Sequence, residues 1–203
     1  LAGRDLVPVL SWLAARGRCR YCAATISVRY PLVEIALALA FLPIGLAEAS
    51  PLTEAALLAS VTGLAVILLA DLDRRVIPNK ALIALIVPAI VIGVDRSGGL
   101  LSPLLGAALG LGLGALLRLC GRLFAGRPGL GLGDVKFLGL AGLFLGPVAF
   151  VPFLMIAGMG GILFGLAWQA QGKGREFPFG PALAFALYLC LAFPWLGGLF
   201  AVF

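Results

Sequence analysis

Two aspartates carry the chemistry open to this chain. Asp71 ends the apolar run in "LLADLDRRVIPN" (68–79), and Asp134 closes three alternating glycines in "PGLGLGDVKF" (128–137). The chain has no histidine, which excludes Ser-His-Asp triads, histidine metal sites and histidine proton relays together. Two carboxylates brought close cannot both ionise, so one stays protonated as an acid while its partner acts as a base toward water. Such a pair needs no metal, no histidine and no serine. Gly131 and Gly133 have no Cβ, so a backbone or a neighbouring helix can approach Asp134. On that reading a methyl at Gly133 should do far more harm than one at Gly142, inside the following apolar run. Asp73 lies about 200° around a helix from Asp71, so only one of the two can face a bundle interior. Asp71, nearer the apolar run, is the better placed.

Other readings of the same residues remain open at this point. Asp71 alone could be a solvated charge at a helix end, and Asp134 could be an N-cap. Nucleotide loops do not fit. The P-loop needs Gly-Lys followed by Ser or Thr where this chain has Gly133-Asp134, and the last glycine of G-x-G-x-x-G is absent. A proton- or cation-coupled carrier would also want carboxylates within the membrane, and a scaffold protein would need neither.

These acids sit in a chain of 203 residues that is 62% hydrophobic and only 12% charged. Soluble domains run near half apolar and a quarter charged, and several runs here approach the ~20 residues that span a bilayer. The expected fold is an all-α, polytopic transmembrane bundle in a lipid bilayer. Its apolar runs lie near 32–48, 55–70, 80–94, 100–117, 135–145, 147–168 and 181–201, about seven segments. The short run at 135–145 ends at Gly146-Pro147 and reads as a half-length or broken helix. Residues 1–31 read as a cytoplasmic segment and 32–203 as the membrane bundle. Gly106, Gly110 and Gly114 form a small-residue stripe suited to helix packing.

A net charge of +6 would suggest nucleic acid in a soluble chain, but in a membrane protein it marks cytoplasmic loops. Alternating the segments from a cytoplasmic N-terminus leaves only Arg96, of fifteen basic residues, on the far side, with Glu48, Glu54 and Asp95. Asp71 and Asp134 then share the cytoplasmic face, and no nucleic-acid partner is expected. The chain begins at Leu1 with no signal-peptide pattern, and the N-terminus is expected to be incomplete or that of a short natural form.

"GLGD" at 131–134 resembles the GxGD motif of intramembrane aspartyl proteases. With Val135-Lys136 after it and "DLDRRVIPN" before it, the combination is similar to the type IV prepilin peptidases, or leader peptidases. "PVLSWLAARGRCRYCAATISVRYPLVE" at 8–34 and "FPFGPALA" at 177–184 agree, so four stretches occur in the family's order. The resemblance implies that Asp71, with Pro78 seven residues on, and Asp134 are the catalytic pair, supported by Gly131, Gly133 and Lys136. Lys136 would anchor its helix at the interface or act on an aspartate by its charge.

The resemblance further implies cleavage of the basic leader from type IV prepilins or pseudopilins at the cytoplasmic face of the bacterial inner membrane. It serves pilus assembly or type II secretion and needs no cofactor for proteolysis. Many members also N-methylate the new N-terminus with S-adenosylmethionine, and Glu34, within "YPLVE", is the residue a methylation role would use. Its plainer reading is a hydrogen-bonded residue near Arg29. Long members carry two CxxC pairs behind a further membrane helix, whereas this chain has only Cys19 and Cys22 in that pattern. Two thiolates cannot fill a tetrahedral zinc site, so reduced thiols are expected there rather than bound metal.

Overall fold

The structure, a computed structural model, describes residues 2–46, 49–126, 129–172 and 177–195. The regular elements among these residues are helical, apart from one isolated bridge between Arg18 and Thr25. The chain divides into two compact units, Leu1–Ala47 and Glu48–Phe203. The first apolar helix belongs to the first of these units. Arg127, Lys173, Arg175 and Glu48, which enter the charge count above, lie outside the described residues.

In the first unit a 3₁₀ turn (Gly3–Leu6) and α1 (Leu10–Ala14) precede α2 (Arg29–Gly45). Asp5 ties the turn to the cysteine loop, accepting from Tyr21 Oη at 3.0 Å and pairing with Arg20 at 3.5 Å. Trp12 closes the loop from the other side, its indole N–H donating to the Ile26 carbonyl at 3.0 Å.

The second unit holds α3 (Pro51–Arg74), α4 (Asn79–Ala84), α5 (Ile86–Ser97), α6 (Leu101–Ala125), α7 (Leu132–Ala170) and α8 (Gly180–Ala192). α3 starts on a Ser50 cap, whose hydroxyl accepts from the Thr53 N–H, and has Pro51 in its first turn. The expected run at 80–94 is two helices, because Pro88 has no N–H to donate to the Ala84 carbonyl. Among the described residues three helices, α3, α6 and α7, are long and apolar enough to cross a membrane. Large side chains such as Phe137, Phe144, Phe153, Ile67, Leu85 and Leu187 fill the interior.

α7 is two arms. At Gly146 the backbone leaves helical geometry (φ 67°, ψ 178°), a conformation open to glycine, and Pro147 follows. The first arm, 132–145, would cover roughly 20 Å, short of the ~30 Å hydrocarbon core. It therefore matches the half-length segment expected from the sequence. The second arm returns. Trp168 near its end lies under the Arg75 guanidinium, 5.7 Å from the ring centroid, at the end of α3 that carries Asp71.

The first arm lies against α6 with backbone touching backbone. A Cβ on Gly106 would overlap the Gly142 carbonyl, one on Gly110 the Leu138 carbonyl, and one on Gly142 the Gly106 carbonyl. The glycine stripe is thus a packing surface, as expected. Leucines 104, 105, 109 and 116 on other parts of α6 are exposed, the arrangement of a helix facing lipid. At the opposite end of α8 from Asp71, Arg96 donates to the Leu191 carbonyl at 2.9 Å and to the Cys190 carbonyl at 3.4 Å. It satisfies the last carbonyls of α8, which gives the one basic residue outside the cytoplasmic count a structural reason to be there.

Candidate active site

Asp71 lies on the last turn of α3, with 5% of its surface exposed. Arg75, in left-handed conformation (φ 53°, ψ 38°), ends the helix and donates its N–H to the Asp71 carbonyl at 2.9 Å. Asp71 is therefore a buried residue of the last turn of α3, and Asp73 is exposed. The two aspartates point apart as the helical spacing requires.

Beyond Arg75 the chain runs through Val76 and the buried Ile77 to Pro78, the N-cap of α4, whose carbonyl accepts from Ala81 and Leu82. This turn packs against the start of α7. A Cβ on Gly133 would stand 3.1 Å from the Ile77 Cβ, so the residue before Asp134 rests on the segment that follows Asp71. Lys136 on α7 donates to the Asn79 side-chain carbonyl at 2.9 Å, joining α7 to the first residue of α4.

Asp134 is not an N-cap. Gly131 holds that position, and Asp134 is the third helical residue, with Oδ2 accepting the Gly131 N–H at 3.2 Å. Gly131 meets the need for a residue without Cβ directly, since a methyl there would stand 2.8 Å from that oxygen. The two glycines thus have different tasks. Gly131 makes room for the Asp134 carboxylate, and Gly133 makes room for Ile77. Arg118 of α6 donates to the Leu130 carbonyl at 2.6 Å and pins the loop before Asp134.

The buried carboxylate of Asp71 has a partner that sequence reasoning passed over. The Gly180 N–H, at the start of α8, donates to Asp71 Oδ2 at 2.9 Å across 109 residues of chain. The stretch "FPFGPALA" had marked the region. A glycine between an aromatic pair and a proline is the signal that could have singled out the residue, because it leaves a bare N–H beside a chain reversal. Each acid therefore has one oxygen tethered to a glycine N–H, Gly131 for Asp134 and Gly180 for Asp71.

Glu34, in the first unit, accepts the Val9 N–H at 2.7 Å. This fits its plainer reading as a hydrogen-bonded residue. Val9 has φ 60° and ψ −50°, and the Leu10 N–H reaches back to the Pro8 carbonyl. This is a γ-turn, strained for a β-branched residue, that the carboxylate holds in place. Cys19 and Cys22 are free thiols in a loop closed by the Cys19 N–H on the Ala24 carbonyl and the Ala23 N–H on the Cys19 carbonyl. Backbone hydrogen bonds from Tyr21 and Cys22 hold the half-buried Cys19 thiol below its ordinary pKa. No group of three or more metal-type ligands occurs among the described residues. A two-thiolate pair does not fit the four-ligand site that structural zinc takes.

Comparison with known proteins places this geometry. Residues 1–47 match the Bacterial Peptidase A24 N-terminal domain, and residues 58–166 match the Type IV leader peptidase family. A prepilin leader peptidase/N-methyltransferase from Aeromonas hydrophila is 32% identical over 199 residues, covering 91% of this chain and 65% of the relative. The Pseudomonas putida protein of that name is 33% identical over 193 residues, covering 91% and 66%. For the Neisseria gonorrhoeae protein the identity is 32% over 190 residues, covering 87% and 62%. The chain thus spans about 65% of the length of such relatives. No solved structure matches it. The match over residues 58–166 takes in more than half of the chain, both glycines beside Asp134 and both aspartates, and the chain belongs to the type IV leader peptidase family.

Proposed function

We propose that this chain is an aspartic endopeptidase that removes the basic leader from type IV prepilins or pseudopilins at the cytoplasmic face of the inner membrane. The observation that carries the reading is a pair of carboxylates in a chain without histidine, one on α3 and one at the start of α7, which packs on the turn after α3, each with one oxygen on a glycine N–H. The second oxygen of each is left for a water and a shared proton. One carboxylate takes a proton from the water as it attacks the scissile carbonyl, and the other protonates the leaving amine. This chemistry calls for no cofactor. Membrane-inserted prepilins are the partners, residues 1–31 are cytoplasmic and 32–203 form the membrane bundle. The relatives' second named activity would draw on S-adenosylmethionine. Nothing in the contacts of Glu34 favours that role, and we derive no step through that cofactor. The testing experiment is co-expression with a prepilin, read as loss of leader mass on a gel.

Two expectations follow from this geometry. Gly131→Ala should lower leader cleavage on the order of a hundredfold, because its methyl displaces the carboxylate itself. Gly133→Ala should cost less, since its methyl would meet Ile77 at 3.1 Å rather than the carboxylate itself. Steady-state rates at matched protein levels check the order.

For topology, single cysteines are placed in a background lacking the native four. Lys80→Cys, at the exposed start of α4, should be shielded from an impermeant thiol reagent in intact cells. Asp95→Cys, exposed at the other end of α5, should react. The reverse pattern would put the aspartates on the wrong side for a cytoplasmic leader.

A further inference from the structure

The buried Asp71 carboxylate depends on where one backbone N–H points, and the structure shows what aims it. Gly180 is the first residue of α8 and Pro181 the second. Proline has no N–H, so Gly180 supplies the donor at this helix start. The site accepts only glycine: a Cβ would stand 2.6 Å from Asp71 Oδ2 and 2.8 Å from its Cγ. Asp71 is short and buried, with little freedom to withdraw.

The residues before Gly180 are gripped by the second arm of α7. The Phe179 ring lies on Gly161 so closely that a Cβ there would overlap it, and the Phe177 ring lies on Gly165, where a Cβ would stand 3.0 Å away. Gly161 and Gly165 are one helical turn apart on one face. The two rings pack edge to face with centroids 6.5 Å apart, and Phe164 closes on Phe177 at 6.3 Å. α7 thus serves both acids. Its first arm carries Asp134, and its second arm holds the strap whose next residue donates to Asp71.

We propose that Gly180 is a positioning residue for Asp71, and that Gly161 acts through Phe179 to set the direction of its N–H. The inference rests on the reading of Asp71 as a member of the catalytic pair. Its effect falls on the chemical step. With Oδ2 held by Gly180, the Asp71 carboxylate cannot rotate freely, and the direction of its other oxygen is set. Substrate contacts elsewhere are unchanged, so kcat falls while KM stays near its wild-type value.

The test uses the purified full chain in detergent with a prepilin peptide, measuring kcat and KM separately. Gly180→Ala should lower kcat on the order of a hundredfold with KM nearly unchanged. Gly161→Ala should lower kcat about tenfold, a smaller displacement of the same kind. Adding Phe179→Leu to Gly161→Ala, which removes the overlapping ring atoms, should restore most of that loss. Wild-type kcat in Gly180→Ala would overturn the proposal, as would a Gly161→Ala defect that Phe179→Leu does not relieve. If Gly180→Ala does not accumulate, the Gly161 and Phe179 variants decide alone. Asp71→Asn is run beside them. An active Asp71→Asn removes the peptidase reading itself, whereas an inactive Asp71→Asn with a fully active Gly180→Ala overturns only this inference.

Discussion

Asp71→Asn and Asp134→Asn should each abolish leader cleavage, with losses of about a hundredfold to ten-thousandfold, the range that positioned acid-base groups contribute. Asparagine is the informative replacement because it keeps a carbonyl oxygen at nearly the same place. Asn at 71 can still accept the Gly180 N–H, and Asn at 134 can still accept the Gly131 N–H. Loss of activity therefore reports loss of an ionisable group rather than loss of fold. Asp73→Asn should keep most activity, since Asp73 is exposed on the other side of α3. Asp71→Glu should also fail, because a carboxylate moved by one methylene no longer meets Gly180 or the shared water. A proton- or cation-coupled carrier would tolerate that change more readily. Leader cleavage at matched membrane levels measures all four.

The second large effect is on the fold. Gly142→Ala should destabilise the protein by about 1–3 kcal/mol or more, the cost of forcing extra volume into a closed contact. Its Cβ would overlap the backbone carbonyl of Gly106, and a backbone, unlike a side chain, cannot rotate away. Gly112→Ala, on α6, is the control. Nothing lies within 4 Å of its Cβ, so it should be neutral or stabilise by up to about 1 kcal/mol through helix propensity. Thermal melting in detergent, followed by helical circular dichroism, separates the two. This reverses the expectation from the sequence that Gly142 would tolerate a methyl better than Gly133. Gly142 lies in an apolar run and looks replaceable, but the run is pressed against another backbone. Gly133 flanks the acid and looks essential, but its methyl would meet the Ile77 side chain at 3.1 Å rather than a backbone.

That reversal shows where sequence reading stops. Hydropathy marked the apolar runs that became α3, α6 and α7 because bilayer thickness acts on runs of residues. The end of the last run, 196–201, lies outside the described residues. The half-length segment was legible because Gly146-Pro147 breaks a helix locally. The acids were legible because carboxylates are rare in such a chain. What the sequence hides is pairing between distant segments. Gly180 carries no side chain, and its importance is a single N–H aimed at a residue 109 positions earlier. The position of Asp134 on the third residue of its helix, rather than at the cap, depends on how the glycine loop is pinned by Arg118. The task of Glu34 depends on a strained turn at Val9 that no spacing rule forecasts.

The most direct measurement of the central claim is the mass of a prepilin after incubation with the purified chain, beside the Asp71→Asn and Asp134→Asn variants. The expected result is a product lighter by the basic leader with the wild-type chain, and full-length prepilin with either variant. An unchanged prepilin mass with folded wild-type protein would contradict the account, as would leader removal by either variant.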